Sequence, residues 1–236
     1  MPLKNRITQV ASDTARYHLS IAAWFLVVIG IIYIVLRSIF TTSDFIPNGF
    51  MDFIYRPAKI FSLIYAISAS NSFLTFFVRH GVTRRDYFFG TSIALVFVSF
   101  TMMIITAGIA SIENFIFPAG ETASYFESTG SVLATIGEYS LNIICYYITG
   151  WLIAILFYGF NTIGKSLAIM GASLIITMSG MLWGESGFEQ NITRLFNLHS
   201  PWGLPMAISF LGTLLLIALV LWIIRASSKN ITVKMK

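Results

Sequence analysis

Charge is scarce in this sequence: only 11% of its 236 residues are Asp, Glu, Lys or Arg, whereas 56% are hydrophobic. A soluble globular domain carries about 25% charged residues, so the shortage of charge is the more informative departure. Together with a mean hydropathy of +0.79, it argues against a soluble domain and indicates a membrane protein.

Cysteine and clustered metal ligands are also lacking. Cys145 is the single cysteine and lies in an apolar run, where we expect a small buried side chain. One cysteine allows no intrachain disulfide and no thiolate cluster. The histidines His18, His80 and His199 are far apart in the sequence. We therefore predict no metal site, and no nucleophile–base arrangement indicates a membrane enzyme.

Six apolar runs are long enough to cross a bilayer as helices, which takes about 20 residues. The predicted spans are about 18–40, 58–77, 87–110, 139–160, 164–183 and 202–226. They lack the alternation of barrel strands, so the predicted fold class is an all-α polytopic membrane protein. We treat 18–226 as a single transmembrane domain, preceded by a segment 1–17 and followed by a basic tail 227–236.

Lysine and arginine collect on one side of these six spans, which sets the predicted orientation. The residues on that side are Lys4, Arg6, Arg16, Arg79, Arg84, Arg85, Lys165, Arg225, Lys229, Lys234 and Lys236. Both termini are therefore predicted to be cytoplasmic. The net charge of +5 fits this orientation better than binding to nucleic acid, and we expect no nucleic-acid partner. We expect a multi-pass protein of the cell (plasma) membrane, of bacterial origin, in contact with membrane lipid.

The segment 1–17 is too polar to span a membrane. Ile7, Val10, Ala11 and Tyr17 recur at helical spacing, which predicts an amphipathic helix in the cytoplasmic interface. Two roles stay open for it: a contact surface for a soluble partner, or an orientation anchor.

The stretch GFNTIGKS, Gly159–Ser166, fits the P-loop pattern. A working P-loop follows a buried strand, and a magnesium-binding acid ends another strand, whereas this stretch lies between two apolar runs. We therefore predict no catalytic or cofactor-binding residue in this chain. The stretch is interpreted as a cytoplasmic turn in which Asn161 and Lys165 form a second, minor partner contact.

Few polar side chains lie within the spans. Asn71, in the second span, and Asn142 and Tyr146, in the fourth, are candidates for helix packing or for lining a substrate path. Arg37 and Glu138 both lie near the outer ends of spans, where a bridge between them is one alternative.

The connection between the second and third spans reads FFVRHGVTRRDYFFG, Phe76–Gly90. It resembles the (N/H)G-(V/I)-(S/T)-R turn of type-2 ATP-binding-cassette (ABC) permeases. The matching residues are His80, Gly81, Val82, Thr83, Arg84 and Arg85. The six-span layout with both ends inside, the N-terminal interfacial helix and the hairpin before the last span also resemble that family.

The resemblance implies a coupling helix that docks in a groove of a separate ATPase subunit. The residues it assigns to this contact are His80, Gly81, Val82, Thr83, Arg84, Arg85, Asp86 and Tyr87. Physically, Gly81 permits a tight turn, Arg84, Arg85 and Asp86 suit charged groups on a partner, and Tyr87 suits the membrane interface.

We expect no ATPase domain fused to the chain, and the resemblance then implies that ATP and magnesium bind the partner subunit. It also implies a second permease subunit, expected to be a copy of this chain. The implied function is export of an amphipathic or hydrophobic cargo, with a peptide or drug favoured. The alternative is a membrane scaffold or sensor-complex subunit that recruits a cytoplasmic protein and transports nothing. ATP-dependent cargo movement in vesicles distinguishes the two.

Overall fold

A computed structural model describes residues 3–39, 49–116, 132–159, 162–184 and 206–229 of the protein. Within these ranges the secondary structure is entirely α-helical apart from short turns. The helices are α1 (Leu3–Ile39), α2 (Phe50–Arg79), α3 (Arg84–Ile116), α4 (Val132–Gly159), α5 (Thr162–Trp183) and α6 (Met206–Lys229). All six are long and apolar enough to cross a membrane. Over the described residues, the prediction of an all-α fold is therefore confirmed, and so is the prediction of six helices long and apolar enough to span a membrane.

Each helix extends beyond its predicted span at one end or at both. Helix α2 begins at Phe50, and Pro57 lies inside it at the position where the sequence predicted the span to start. Helix α1 is continuous over 37 residues, without a break between the predicted interfacial segment and the first span. At 1.5 Å per residue such a helix is about 55 Å long, well over the hydrocarbon thickness of about 30 Å. Part of α1 must therefore lie outside the hydrocarbon core or the helix must tilt strongly.

The chain groups into two compact units. The first comprises Met1–Phe61 and Arg85–Ile143, and the second comprises Ser62–Arg84 and Ile144–Lys236. Each unit takes in part of α2 and part of α4, so the boundaries cut through helices and do not fall in a linker.

Aromatic side chains form much of the core of the first unit. Tyr33 packs edge-on against Phe50, with ring centroids 5.3 Å apart, and Tyr55 stacks on Tyr139 at 3.8 Å. Met103, from α3, is fully buried in the same cluster. These contacts join α1, the start of α2, α3 and the start of α4.

The N-terminal part of α1 packs tightly on α3. A Cβ atom added to Gly90 would lie 2.6 Å from Cγ1 of Val10, and Val10 is only 2% exposed. Tyr17, which the sequence placed on the same apolar face, is 54% exposed. The buried side of this segment therefore faces α3, and its place in the membrane interface stays a prediction.

Two close helix contacts define the second unit. Gly150 of α4 lies directly against the Leu63 carbonyl of α2, and a Cβ there would also be 2.9 Å from the Ala66 Cβ. Between α5 and α6, Ser209 Oγ donates a 2.6 Å hydrogen bond to the Leu182 carbonyl. Leu182 lies in the last turn of α5, where the carbonyl groups have no hydrogen-bond partner within their own helix.

Apolar side chains also cover the outside of the helices. Trp24 of α1, Leu215 of α6 and Trp222 of α6 are each 71% exposed. Large apolar side chains in water cost about 25 cal/mol per Å², so this surface suits lipid contact, as expected for a multi-pass membrane protein.

Candidate functional site

The turn after α2 is closed by a full set of backbone hydrogen bonds. Gly81 has φ of +75°, and its N–H donates to the Val78 carbonyl at 3.0 Å. The N–H of Val82 donates to the Phe77 carbonyl, also at 3.0 Å. This pair of bonds around a left-handed residue is the Schellman motif that ends many helices. The residue predicted to permit a tight turn is therefore the one that carries its left-handed conformation.

Helix α3 begins immediately after this turn. Its first residue is Arg84, and Asp86 lies in its first turn. Thr83 occupies the N-cap position, where threonine is favoured because its hydroxyl can accept from the first N–H groups. An acid in the first turn is stabilised by the positive end of the helix dipole. A signal that ends α2 and a signal that starts α3 thus lie within a few residues of each other and fix the connection between the two helices.

The exposed surface of this turn is smaller than the sequence predicted. Arg79, His80, Gly81 and Thr83 are exposed, and we call these four residues the docking turn. Val82 is half-buried, which suits the apolar contact that usually accompanies a Schellman motif.

Asp86 and Tyr87 do not belong to that surface. Asp86 is 5% and Tyr87 3% exposed, so neither side chain is available to a partner or to the membrane interface as the sequence suggested. Asp86 instead serves the start of α3, and Tyr87 packs inside the chain.

The two neighbouring arginines differ in their environment. Arg84 Nη1 donates a 3.3 Å hydrogen bond to the Ser228 carbonyl, near the end of α6. A cation at the C-terminal end of a helix is favourable for both the free carbonyls and the helix dipole. Arg85 is exposed, with its guanidinium 6.0 Å from the centre of the Phe89 ring. Arg84 therefore serves the chain's own packing, whereas Arg85 remains on the surface.

A cleft of about 480 Å³ lies beside the docking turn. It is lined by Ser72, Thr75, Phe76, Arg79 and His80. The His80 ring lies 4.4 Å from the Phe76 ring, and its Nδ1 is 2.8 Å from the Phe76 carbonyl oxygen. The last turn of α2 thus presents an aromatic surface bordered by a cation, a combination that protein interfaces favour.

The P-loop-like stretch connects two helices. Gly159 ends α4, Thr162 begins α5, and Lys165 is exposed in the first turns of α5. Lys165 Nζ lies 6.0 Å from the centre of the Phe157 ring. Asn161, the other proposed second contact, lies outside the described residues, so this contact and the absence of a nucleotide site both stay predictions.

The polar residues predicted within the spans lie in α2 and α4. Asn142 is 1% exposed and donates from Nδ2 to the Glu138 carbonyl at 3.1 Å, which places it among buried packing residues. Tyr146 is half-buried, and Asn71 lies within α2. Their roles in helix packing or in a substrate path stay predictions.

A polar cluster that the sequence did not predict lies at the other end of the helices of the first unit. Glu113 of α3 contacts both the Arg37 guanidinium and the Tyr33 hydroxyl of α1. Its Oε2 accepts a 2.9 Å hydrogen bond from the N–H of Phe50, the first residue of α2. The N–H groups of a first helical turn lack partners within the helix and favour a negative charge. Glu113 therefore caps α2 and pairs with α1; the sequence had suggested Glu138 as the partner of Arg37.

A second set of polar contacts joins α2 and α4 in the same unit. The Tyr139 hydroxyl donates to Asp52 Oδ1 at 2.8 Å, and the ring of Tyr139 stacks on Tyr55. Lys59 Nζ lies 4.2 Å from the centre of the Tyr55 ring, and Lys59 is only 5% exposed. The order of Asp52, Tyr55 and Lys59 along one face of α2 was the available sequence signal. Asp52 and Tyr55 precede the predicted span of about 58–77, so hydropathy alone does not place them on a helix.

Comparison with known proteins gives no match: no family model, no curated protein and no solved structure is similar to this chain. The resemblance of residues 80–85 to a permease turn therefore stays a prediction.

Proposed function

We propose that this chain is the membrane-spanning permease subunit of an ABC exporter, and that a separate ATPase subunit binds its docking turn. The observation that carries the proposal is the Schellman-closed end of α2, which holds Arg79 and His80 exposed beside an aromatic cleft. A turn that is held by backbone hydrogen bonds and joins two long helices is suited to transmit a displacement of its surface to both helices.

The proposal includes the orientation and the partners. Both termini and the docking turn lie in the cytoplasm, residues 1–17 lie at the cytoplasmic interface, where most of them form the first part of α1, and the membrane is the plasma membrane of a bacterium. Two copies of the chain combine with two ATPase subunits, which bind ATP and magnesium. The cargo is an amphipathic or hydrophobic molecule, with a peptide or drug favoured.

Charge supports the location of the contact. Arg79 in the docking turn and Arg85 in the first turn of α3 are both exposed, whereas the neighbouring acid, Asp86 of α3, is buried. The exposed charged side chains are therefore cationic, and they suit an acidic groove on the partner. Such charges at an interface rim mainly set association rate and specificity.

Purification of the full chain from its native membrane in mild detergent, followed by assay of ATP hydrolysis, tests this proposal. We expect the wild-type complex to hydrolyse ATP and the chain alone to bind no nucleotide. Arg79→Glu should lower the recovered ATPase activity roughly tenfold, the size of a lost rim charge pair of about 1.4 kcal/mol. Arg16→Glu, another exposed cation on the same predicted side, is the matched control and should leave it unchanged.

Three results would contradict the proposal. The first is that no ATPase subunit is recovered with the chain. The second is that Arg79→Glu and Arg16→Glu lower the recovered ATPase activity equally. The third is that the isolated chain binds ATP saturably and that Lys165→Ala abolishes this binding. A stable soluble partner without ATP hydrolysis, and without ATP-driven movement of a peptide or dye into inside-out vesicles, would instead identify the scaffold alternative.

A further inference from the structure

An apolar cleft of about 850 Å³ runs between α1 and α3 in the first unit. Ala23 and Gly30 of α1 form part of one wall, and Ile105, Ile109 and Ile112 of α3 form part of the other. The three isoleucines are 46%, 39% and 61% exposed, so the cleft opens to the surroundings of the chain. Because both helices are long and apolar enough to span a membrane, those surroundings are lipid.

The cleft is long. Its lining on α1 extends from Ala23 to Ser38, which is about 22 Å of helix. One leaflet of the hydrocarbon core is about 15 Å thick, so the cleft is deep enough for an acyl chain that starts at Arg37. The lining is apolar apart from the end that carries Tyr33, Arg37, Ser38 and Glu113. Its length and its apolar lining suit an extended hydrocarbon chain.

One end of the cleft is polar. Arg37 and Glu113 line it there and form an ion pair. The Glu113 carboxylate also accepts from the Tyr33 hydroxyl and the Phe50 N–H, and its side chain is only 12% exposed. The Arg37 side chain is 38% exposed. The group presented at the mouth of the cleft is therefore the cation, and its counter-ion is held behind it.

Arg37 lies two residues before the end of α1, and Glu113 three residues before the end of α3. Charged side chains at the ends of membrane helices reach the headgroup layer. A guanidinium has five N–H donors in a planar fork and binds phosphate oxygens in pairs. The cleft thus offers a phosphate partner at headgroup depth and an apolar channel directly below it.

We propose that this cleft binds a membrane phospholipid, with the headgroup phosphate on Arg37 and one acyl chain between α1 and α3. Tyr33 and Glu113 hold the guanidinium in place. Gly30 leaves room for the acyl chain, since a Cβ at this position would have no neighbour within 4 Å. The proposal requires only that α1 and α3 span the membrane, and it does not depend on the docking turn.

Native mass spectrometry of the full chain after detergent washing tests the proposal. We expect a phospholipid to remain bound in near-stoichiometric amount. Gly30→Leu fills the cleft and Arg37→Gln removes the cation, and each should lower retention about tenfold. Gly108→Leu is the matched control: Gly108 also has no neighbour within 4 Å but does not line the cleft, so retention should be unchanged.

A photoreactive phospholipid separates bound from surrounding lipid. In vesicles of phosphatidylethanolamine and phosphatidylglycerol, a phospholipid with a photoreactive acyl tail should label the peptide that carries Ile105 and Ile109. A diacylglycerol with the same tail lacks the phosphate and should label it far less.

Four results would overturn the proposal. The first is loss of all phospholipid when the detergent-solubilised protein is washed, and the second is equal phospholipid retention by Gly30→Leu and Gly108→Leu. The third is equal labelling of the Ile105 and Ile109 peptide by the phospholipid and the diacylglycerol. The fourth is a change of oligomeric state in Gly30→Leu while its phospholipid retention is unchanged. If Arg37→Gln fails to fold because Glu113 loses its counter-ion, Gly30→Leu alone still decides the outcome.

Discussion

The backbone N–H of Val82 donates a 3.0 Å hydrogen bond to the carbonyl oxygen of Phe77, which closes the end of α2. Gly81, between them in sequence, adopts the left-handed conformation that the closure requires. The connection to α3 therefore begins with a turn whose backbone is held by hydrogen bonds, and the proposed partner contact rests on it.

Gly81→Ala should destabilise the protein by about 1–2 kcal/mol, the cost of a left-handed backbone for a residue with a Cβ. Clashes with residues beyond its two chain neighbours do not contribute, because a Cβ at Gly81 would have no such neighbour within 4 Å. Thermal unfolding in detergent measures the effect. Gly171→Ala is the control: Gly171 lies inside α5 with equally open space, so alanine should be neutral or stabilising by up to about 1 kcal/mol. Equal effects of the two changes would contradict the role given to the left-handed turn.

Arg84→Ala and Arg85→Ala should separate a packing role from a surface role. Arg84 donates to the Ser228 carbonyl, so its loss should loosen the last turn of α6 and cost about 0.5–1.5 kcal/mol. Hydrogen exchange should therefore speed up in that turn for Arg84→Ala. Arg85 is exposed, and Arg85→Ala should leave exchange there unchanged. Faster exchange with Arg85→Ala alone would reverse the assignment.

Gly150→Ala should disrupt the contact of α4 with α2 in the second unit. The new Cβ would meet the Leu63 backbone carbonyl and the Ala66 Cβ, and a backbone atom cannot rotate away as a side chain can. Overpacking of this kind costs about 1–3 kcal/mol, which should appear as a lower unfolding temperature than for Gly171→Ala. An unchanged unfolding temperature would show that the two helices are farther apart than the structure places them.

Single added cysteines should report the predicted orientation. Cys145 is 1% exposed, so the wild-type chain should not react with a membrane-impermeant maleimide. His80→Cys lies in the docking turn and should react only after the cells are opened. Ser38 is exposed near the C-terminal end of α1, which is predicted to lie outside the cell, so Ser38→Cys should react in intact cells. Reaction of both from the same side would be incompatible with the six-span arrangement.

Hydropathy alone was enough to predict six helices, because each span must bury its own backbone bonds and so appears as a continuous apolar run. The ends were less predictable, since a helix continues outside the hydrocarbon wherever capping signals allow. Helix α2 begins at Phe50, ahead of the apolar run, because Glu113 from α3 supplies the missing acceptor.

Tertiary partners could not be predicted in the same way. Tyr33 and Glu113 are 80 residues apart, and the acids Glu113 and Glu138 both lie close to apolar runs, so local sequence does not distinguish them as partners of Arg37. The docking turn shows the converse. Its glycine and basic residues were visible as a motif, but the burial of Asp86 and Tyr87 depends on neighbours that a motif does not specify.

Photocrosslinking from the docking turn tests the central claim most directly. A photoreactive amino acid at His80 in the full chain, irradiated in native membranes, should form an adduct with an ATP-hydrolysing subunit. The yield should change when ATP or a non-hydrolysable analogue is added to opened membranes. The same probe at Ser12, exposed in α1 on the same predicted side, should give no nucleotide-sensitive adduct. An adduct at both positions alike, or at His80 with a protein that neither binds nor hydrolyses ATP, would contradict the account.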